Sequence, residues 1–318
     1  MTNHQTEVLR LGTRSSALAL WQANWVKAEL EKQWAGLTIE LVPIKTTGDK
    51  ILNVPLAEVG GKGLFTKEID EALLARKVDL AVHSMKDVPY QLPRGIDFGA
   101  IPEREDPHDV FISNGRQLGD LPPGAVIGTS SLRRQVQLRH RFPSIRLLPL
   151  RGNVDTRLKK VASGEFDGIV LALAGLKRLG QTSVITQIID SSLMLPAIGQ
   201  GALGIACRSD DAAVRAKLRP LDHLPTRLAV SAERGLLAVL EGSCKVPIAG
   251  YGKLQGDRVT LRGLVANLSG SVVIADEISG DVGDASAARE LGLKLGNLLV
   301  ERGARDILTE ITQSGATR

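Results

Sequence analysis

The sequence predicts an α/β protein with two or three domains. Strands alternate with helices through the first two thirds of the chain, and the same pattern restarts after a polar segment at 103–107. The last third instead alternates in the way that is typical of an antiparallel meander. A chain of 318 residues is long enough for this many domains. Strands joined by helices predict parallel sheets with right-handed crossovers.

The first unit opens with a strand that passes directly into a helix, which Ser15 or Ser16 would cap. Its predicted elements are a strand at 8–12, a helix at 17–33, a strand at 38–44, a helix that ends near residue 76 and a buried strand at 78–83. The second unit repeats this order, with strands at 125–128, 145–150 and 167–172 and a helix after each of the first two. A short apolar run at 201–207 predicts one more buried strand.

The last third is predicted to contain a helix at 226–240, strands at 248–254, 259–268 and 272–278, and a final helix from about Ser286. The residues after Thr312 are expected to be disordered, as chain ends often are. Two segments, 103–107 and 196–201, are polar or rich in Gly and Pro, and we interpret both as hinges between the first two units.

Charge and composition favour a small anionic ligand. The net charge is +5, but aromatic residues make up only 3% of the chain, so few side chains could stack on the bases of a single-stranded nucleic acid. The basic residues come singly or in pairs at the predicted ends of elements, which suits a compact polyanion better than a nucleic-acid backbone. The sequence has no apolar stretch that approaches the roughly 20 residues of a membrane span. It also has no paired His or Cys spacing that would indicate a metal site.

The two cysteines have different surroundings. Cys244 lies in the segment Gly242–Pro247, whose glycine and proline indicate an open loop and whose Lys245 favours the thiolate. Such a thiol is a reactive group, an attachment point or a surface cysteine with no task. Cys207 lies in an apolar run and is expected to act as a small buried hydrophobe. Two cysteines without a secretory signal indicate the cytoplasm, where thiols stay reduced.

Polar side chains follow nearly every predicted strand of the first two units. In open α/β sheets, ligands bind beside the carboxyl ends of the strands, where helix N-termini add free N–H groups. The residues placed there are Arg14, Ser16, Lys86, Asp87, Ser131, Arg133, Arg134, Arg151, Arg157 and Arg178. Together they predict a cleft for carboxylates or phosphates, although each arginine alone could be an ordinary surface residue. Asp87 is the one acid in the set, and it could either pair with a neighbouring cation or hold a cationic group of the ligand.

The sequence lacks the motifs of several common enzyme classes. It contains no Walker-A sequence, no G-x-G-x-x-G after the first strand and no nucleophile elbow. Phosphoryl transfer and nicotinamide chemistry therefore lose support.

Eight motifs in chain order resemble the porphobilinogen deaminase family, also called the hydroxymethylbilane synthase family. They are Arg14–Ala19, Gly60–Phe65, Ala81–Pro89, Gly128–Gln135, Leu150–Asn153 with Arg157, Ala174–Leu179, Pro196–Gly201, and Glu233-Arg234 leading to Cys244. The resemblance covers about residues 8–250 and is least specific in the C-terminal meander.

This resemblance implies two doubly wound domains, similar to those of periplasmic binding proteins, and a small α+β domain. The implied limits are 1–102 with 201–221 for the first domain, 103–200 for the second and 222–318 for the third. It also implies a dipyrromethane cofactor joined through a thioether to Cys244. The activity implied is a transferase of tetrapyrrole and heme biosynthesis. It joins four porphobilinogen units head to tail onto this primer, releasing ammonia and the linear tetrapyrrole hydroxymethylbilane. A cytoplasmic monomer without a metal is expected.

The resemblance assigns roles to individual residues. Asp87 and Lys86 would be the catalytic residues, with Asp87 as the catalytic carboxylate. The cofactor would contact Cys244, Lys86, Asp87, Ser84, Thr129, Ser130, Ser131, Arg133, Arg134, Arg151 and Gly152. The substrate would contact Arg14, Ser16, Lys62, Phe65, Arg157, Arg178 and Gln200. Porphobilinogen carries an acetate and a propionate, which accounts for so many cations.

Two other functions use the same features. An anion-binding protein of the periplasmic-receptor class would use the cleft without catalysis, but the lack of a signal peptide and the exposed loop of Cys244 argue against it. An RNA-binding protein would fit the pI near 9.3, but the scarcity of aromatic residues disfavours it.

Overall fold

The computed structural model describes residues 7–50, 63–240 and 246–316. Cys244 and Lys62, both predicted above to belong to the site, lie outside these residues. In the described part of the chain the strands form three sheets, two of five strands and one of three. The α/β class with two similar units and a smaller third one is thereby confirmed.

The elements alternate along the first two thirds of the chain and change character in the last third. The strands are β1 (Glu7–Thr13), β2 (Leu37–Pro43), β3 (Leu80–Ser84), β4 (Ile96–Ala100), β5 (Asp109–Ser113), β6 (Val126–Gly128), β7 (Arg146–Leu148), β8 (Gly168–Ala172), β9 (Gln187–Ile189), β10 (Leu203–Arg208), β11 (Ile248–Gln255), β12 (Arg258–Ala266) and β13 (Val273–Asp281). The helices are α1 (Ala17–Gln33), α2 (Thr47–Lys50), α3 (Lys67–Leu74), α4 (Leu132–Arg141), α5 (Val154–Ala162), α6 (Leu173–Arg178), α7 (Ala212–Leu218), α8 (Leu224–Val239), α9 (Ala285–Glu301) and α10 (Ala304–Ala316).

The strand order is β2-β1-β3-β10-β4 in the first sheet, β7-β6-β8-β5-β9 in the second and β11-β12-β13 in the third. Each sheet packs its own apolar core. Leu11 and Ile205 are fully buried in the first, Val110 and Ile169 in the second, and Leu261 in the third. Hydrophobic burial is the main driving force of folding, so each sheet organises a folded unit of its own.

Helix α1 shows how the sequence determines these units. The Ser16 hydroxyl accepts the backbone N–H of Ala19 at 3.4 Å and so caps the helix, as predicted. The buried residues Ala23, Val26 and Leu30 recur every three or four positions, which puts them on one face of the helix against the first sheet. The polar end of β1 therefore leads into a helix that is fixed at its start and along its buried face.

The two large sheets are mixed rather than purely parallel, which corrects the sequence prediction. β1 runs parallel to β2 and β3, and β6 runs parallel to β7 and β8. β10, however, is antiparallel to both of its neighbours, and so is β5. These two strands enter their sheets directly from the other unit, without the crossover helix that would bring the chain back to the same edge.

Three strands, three short helices and one helix end were not predicted. The strands are β4, β5 and β9, and the helices are α2, α6 and α7. Residues 313–316 continue α10 where disorder was expected after Thr312. Ile307 is buried in the third core, and Leu308 and Ile311 pack against it. Burial of this apolar face stabilises α10 as a helix.

The chain passes between the two large sheets twice, at the segments predicted to be hinges. The first crossing joins Ala100 of β4 to Asp109 of β5, and the second joins β9 to β10. Arg104 of the first crossing donates to the carbonyl oxygen of Gln200 in the second at 2.8 Å. The two crossings therefore lie side by side.

Glu233 of α8 ties both crossings to the third unit. Its buried carboxylate forms an ion pair with Arg104 and accepts the backbone N–H groups of Gly199 at 2.6 Å and Gly252 at 2.8 Å. A buried carboxylate with this many charge-assisted bonds is well compensated. The third unit is thus fastened to the point where the other two meet.

Candidate active site

The turn Met85–Asp87 follows β3 and places Lys86 and Asp87 at the edge of the first sheet. Met85 is buried and donates its N–H to the carbonyl oxygen of Ala202 at 3.0 Å. A Cβ atom on Gly199 would lie 2.8 Å from that of Met85, so the second crossing rests directly on this turn. The side chains of Lys86 and Asp87 are consequently held in place by backbone contacts while remaining half-buried.

The Asp87 carboxylate has no hydrogen bond or ion pair to any of the residues that the structure describes. Its neighbour Lys86 is strongly affected by its surroundings. Burial, together with the nearby Arg134 and Arg133, lowers the pKa of Lys86 to about 8, although Asp87 and Asp109 oppose the shift. Because Arg133, Arg134 and Asp109 belong to the second unit, Lys86 faces a cleft between the two large sheets.

Arg133 and Arg134 lie on the other side of this cleft, at the start of α4, but both are buried against Asp109. Arg133 Nη1 lies 2.6 Å from Asp109 Oδ2, and Arg134 Nη2 lies 2.8 Å from Asp109 Oδ1. Further N–H groups donate to the carbonyl oxygens of Leu195 and Val170. Burial alone would raise the pKa of Asp109, but the two guanidinium groups hold it far below its usual range.

Gln200 belongs to the same buried cluster. Its Nε2 donates to the Asp109 carboxylate at 2.9 Å and to the carbonyl oxygen of Pro107 at 2.7 Å. The side chain predicted to contact substrate is therefore almost fully buried, and it connects the two crossings. Most of the polar groups of Arg133, Arg134 and Gln200 are occupied within the protein, so the roles predicted for them toward ligands remain predictions.

The hydroxyl groups near the start of α4 are partly engaged in local structure. Thr129 is buried and accepts the N–H of Ser131 at 3.3 Å, while Ser130 exchanges two hydrogen bonds with the backbone of Leu150. Ser131 occupies the N-cap position, yet its side chain makes no capping bond. Ser84, at the end of β3, accepts a bond from Gln22 at 2.9 Å.

Arg157 and Arg151 add positive charge near Arg134. Burial and the neighbouring guanidinium groups of Arg134 and Arg151 lower the pKa of Arg157 to about 10, so Arg157 stays cationic at neutral pH. Its Nε donates to the carbonyl oxygen of Gly152 at 2.8 Å, and within the described ranges no carboxylate pairs with it. Gly152 has a φ of +109°, a conformation that favours glycine and turns the chain into α5. Arg157 therefore brings to this corner of the cleft a positive charge that no described carboxylate pairs with.

Arg178 reaches the cleft from α6. Its Nη2 donates to the carbonyl oxygen of Gly201 at 2.7 Å, and its Cζ lies 5.9 Å from the ring centroid of Trp21 in α1. Burial lowers its pKa to about 10, against the opposing effect of Glu105. Arg178 therefore contacts the second crossing and the first unit from a position in the second unit.

Arg14 lies at the end of β1 and stacks on Phe65, with its Cζ 4.2 Å from the ring centroid. Its Nε also donates to Asp49 at 3.1 Å. Partial burial would raise the pKa of Asp49, but hydrogen bonds from Arg14 and Thr46 lower it overall. Phe65 thus serves as the platform for a guanidinium group.

Several residues that shape this site were not predicted. Asp109 neutralises part of the charge of Arg133 and Arg134, Asp49 holds Arg14, and Glu233 anchors the crossings. His83 was not singled out either. Burial and the nearby Arg14 lower its pKa to about 4, so it is neutral at physiological pH. One signal was available for Asp109, since an acid at the head of the apolar strand Asp109–Ser113 needs a partner.

The described residues contain no group of His, Cys, Asp and Glu side chains that could hold a metal ion. Among the helices of those same residues, none has both the length and the apolar character needed to cross a membrane.

Comparisons with solved structures give weak matches. A probable amino-acid ABC transporter extracellular-binding protein from Bacillus subtilis has 10% identity and a TM-score of 0.41, covering 68% of this chain and 90% of that chain. The aliphatic sulphonate binding protein of Escherichia coli has 15% identity and a TM-score of 0.40, covering 73% and 70%.

Comparisons of sequence are much stronger. The family model "Porphobilinogen deaminase, dipyromethane cofactor binding domain" matches residues 9–216, and the model of the C-terminal domain of the same family matches residues 227–301. The porphobilinogen deaminase of Geobacter sulfurreducens is 53% identical over 310 residues, covering 98% of this chain and 96% of the relative. That of Syntrophobacter fumaroxidans is 53% identical over 305 residues, covering 96% and 98%. This chain belongs to the porphobilinogen deaminase family.

Proposed function

We propose that this protein joins four porphobilinogen units head to tail onto a dipyrromethane primer and releases ammonia and the linear tetrapyrrole hydroxymethylbilane. The observation that carries the proposal is the Asp87 carboxylate, which has no partner among the described residues and lies beside Lys86 in a cleft rich in arginine. Such a site suits a ligand that carries several carboxylates on its periphery and N–H groups at its centre. Membership of the family supplies the identity of that ligand.

The residues present fit the dipyrromethane cofactor that the family implies. Arg157 carries positive charge without a carboxylate partner among the described residues, and the Ser131 hydroxyl makes no capping bond. The groups that would hold the cofactor are Cys244 through a thioether, and Ser84, Lys86, Asp87, Thr129, Ser130, Ser131, Arg133, Arg134, Arg151 and Gly152 through polar contacts. When bound, the cofactor supplies the free pyrrole carbon to which the first substrate unit is joined.

Asp87 would act on the pyrrole N–H groups of the substrate. Each addition breaks the C–N bond of the aminomethyl group, so ammonia leaves and positive charge spreads over the ring. A carboxylate that accepts the pyrrole N–H stabilises this charge as it develops. A new C–C bond then forms, and the proton displaced from the attacked carbon must be removed, a step in which Asp87 would also act as the base. Four additions followed by hydrolysis release the product and leave the primer attached.

The cations of the cleft would bind the acetate and propionate groups. Lys86 lies beside Asp87, and Arg157 and Arg178 lie on the facing unit. The remaining substrate contacts are assigned to Arg14, Ser16, Lys62, Phe65 and Gln200. Because every added ring brings two more carboxylates, successive rings would meet different arginines.

The domain limits and the cellular context also remain proposals. We assign residues 1–102 with 201–221, 103–200 and 222–318 to three domains, in keeping with the three sheets. The protein would act as a cytoplasmic monomer that needs neither nucleic acid nor a membrane partner.

The intact mass of purified protein tests the proposal directly. The wild-type chain should carry the extra mass of two pyrrole units and should release ammonia from porphobilinogen. Cys244→Ser should show the bare chain mass and no activity, whereas the matched variant Cys207→Ala should keep the extra mass because Cys207 is fully buried. A bare wild-type mass without turnover would favour an anion-binding protein, and extra mass that persists in Cys244→Ser would refute the attachment point.

A further inference from the structure

A second basic cavity lies away from the catalytic cleft, between the first sheet and α8. Its volume is about 600 Å³, and it runs along the segment from Tyr90 to Phe98. Four arginines line it: Arg94, Arg215, Arg227 and Arg234. This density of guanidinium groups around one cavity is typical of sites that bind oxyanions.

Among the described residues, carboxylates neutralise two of these arginines. Arg215 pairs with Asp97 at 3.3 Å, and Arg227 pairs with Asp222 at 2.7 Å. Arg94 and Arg234 form no ion pair with any residue of the described ranges. The cavity therefore has two positive charges that no carboxylate of the described part of the chain compensates.

Arg234 lines this cavity, and one of its terminal nitrogens has no hydrogen-bond partner among the described residues. Its Nη2 donates to the carbonyl oxygens of Pro89 at 2.8 Å and Tyr90 at 2.9 Å, and its Cζ lies 5.4 Å from the ring centroid of Phe98. Its Nη1 is buried and has no hydrogen-bond partner among the described residues. Burial and the neighbouring Arg289 lower the pKa of Arg234 to about 10, which leaves it cationic at neutral pH. A buried N–H donor without a partner is costly, and an anion in the cavity would supply one.

The cavity is separate from the catalytic cleft. Ser209, which follows β10, donates its N–H to Gly95, and both residues line the cavity. β10 runs antiparallel to β3, with Cys207 opposite Leu80, so Ser209 lies near the start of β3. Asp87 follows the end of that strand. The five residues of β3 separate the far end of the cavity, at Ser209 and Gly95, from the catalytic turn by about 16 Å of extended chain. The near end of the cavity, at Tyr90, follows that turn in the chain.

We propose that this cavity is a second anion site, which binds a small polyvalent oxyanion through Arg94 and Arg234. Phosphates and polycarboxylates share the chemistry that the guanidinium groups recognise. Phe98 and Tyr90 give the cavity an aromatic wall, and its size admits a molecule the size of citrate or pyrophosphate. Arg234 connects the bound anion to Pro89 and Tyr90, directly after the catalytic turn.

Calorimetric titration of the intact cofactor-bearing protein at constant ionic strength tests this site, with pyrophosphate in one series and citrate in the other. The expected Kd is about 1 mM or lower for at least one of them. Arg94→Gln should weaken that binding by about tenfold, because Arg94 contributes charge without an ion pair in the described structure. The anion whose Kd increases in Arg94→Gln shows whether the site prefers phosphates or carboxylates.

Two control variants separate the cavity from other basic regions. Arg258→Gln removes an exposed arginine that pairs with Asp281 at 3.2 Å, and Arg157→Gln removes one from the catalytic cleft. Arg258→Gln should leave both titrations unchanged. Arg157→Gln should affect only anions bound in the catalytic cleft and should leave in place the binding that Arg94→Gln weakens. The proposal is overturned if neither anion binds, if Arg157→Gln abolishes binding while Arg94→Gln does not, or if Arg258→Gln weakens it as much as Arg94→Gln does.

Discussion

Asp109 and Asp87 are two carboxylates that face the same lysine, Lys86, and differ in almost every other respect. Asp109 is fully buried and bonded to Arg133, Arg134 and Gln200, so its charge is fully engaged within the protein. Asp87 is half-buried and has no partner in the described part of the chain. A compensated carboxylate stabilises the fold, whereas an open one is available to a ligand. Removing each charge should therefore separate stability from activity.

The largest effect is expected for Asp109→Asn, which should lower the free energy of unfolding by about 3–5 kcal/mol. The amide keeps the shape of the side chain but leaves two buried guanidinium groups without their counter-charge. Urea denaturation followed by circular dichroism measures the change. A loss below about 1 kcal/mol would mean that this cluster does not hold the second unit together.

The same variant should alter the response to acid. The pKa of Asp109 is depressed in the folded protein, so its contribution to stability is complete above the unfolded value of about 3.9 and is lost as the pH falls below it. Asp109→Asn should flatten the part of the acid-induced loss of stability that this residue causes. An unchanged pH dependence would show that other carboxylates dominate.

Asp87→Asn should give the opposite pattern, with kcat reduced by about 10²–10³-fold. This loss corresponds to about 3–4 kcal/mol of transition-state stabilisation, because the amide cannot balance the positive charge that develops on the pyrrole ring. The free energy of unfolding should stay within about 0.5 kcal/mol of the wild type. Turnover within a few-fold of the wild-type rate would remove Asp87 from the catalytic role.

Arg157→Gln should lower kcat/KM for porphobilinogen by about tenfold, through loss of a cation that no described carboxylate compensates. The matched control is Lys160→Gln in the same helix, since Lys160 already pairs with Glu165 at 2.8 Å. Steady-state kinetics at constant ionic strength compare the two. Equal losses would indicate that only the overall positive potential matters.

The smallest effect is expected on the alkaline side of the pH dependence of KM. Burial lowers the pKa of Lys86 to about 8, so its amine loses its proton, and with it the attraction for carboxylates, as the pH rises through that value. KM should increase above about pH 8 while kcat changes little. In Lys86→Arg the guanidinium stays charged, and this rise in KM should disappear. Its persistence in Lys86→Arg would point to another group.

The lowered pKa of Lys86 also leads to a prediction for the free energy of unfolding. Between its folded pKa of about 8 and its unfolded value of 10.5, the unfolded state binds more protons than the folded state. The contribution of this group to stability therefore increases as the pH rises through that range. Lys86→Arg should remove this increase, which denaturation at several pH values would measure.

Sequence alone predicted most of the framework and the position of Lys86 and Asp87 at the end of a strand. Local signals, such as the Ser16 cap and the periodic apolar face of α1, determine elements that fold as predicted. Asp87 and Lys86 were found because a strand end is recognisable from local pattern. The direction of β10 and β5 was not predicted, because it depends on where the chain goes between units rather than on the residues in the strand.

The closed part of the site could not be identified in the same way. Arg133 and Arg134 stand at a helix start, and nothing local distinguishes them from Arg157. Their burial depends on Asp109, which lies 24 and 25 residues away in the sequence. Pairing across such a separation is a property of the packed structure and cannot be inferred from the local sequence. Arginines at similar helix starts can therefore be buried in an ion pair, as Arg133 and Arg134 are, or lack a carboxylate partner in the described structure, as Arg157 does.

The attachment of Glu233 to both crossings has a mechanical consequence. Any rotation of the two large units relative to each other must turn about the two adjacent segments that connect them. Glu233 binds Arg104 in one and Gly199 in the other, which puts the pivot at α8. Displacement in a rotation grows with distance from the axis. The outer edges of the cleft would therefore sweep the widest arc, and the residues of α8 around Glu233 the narrowest.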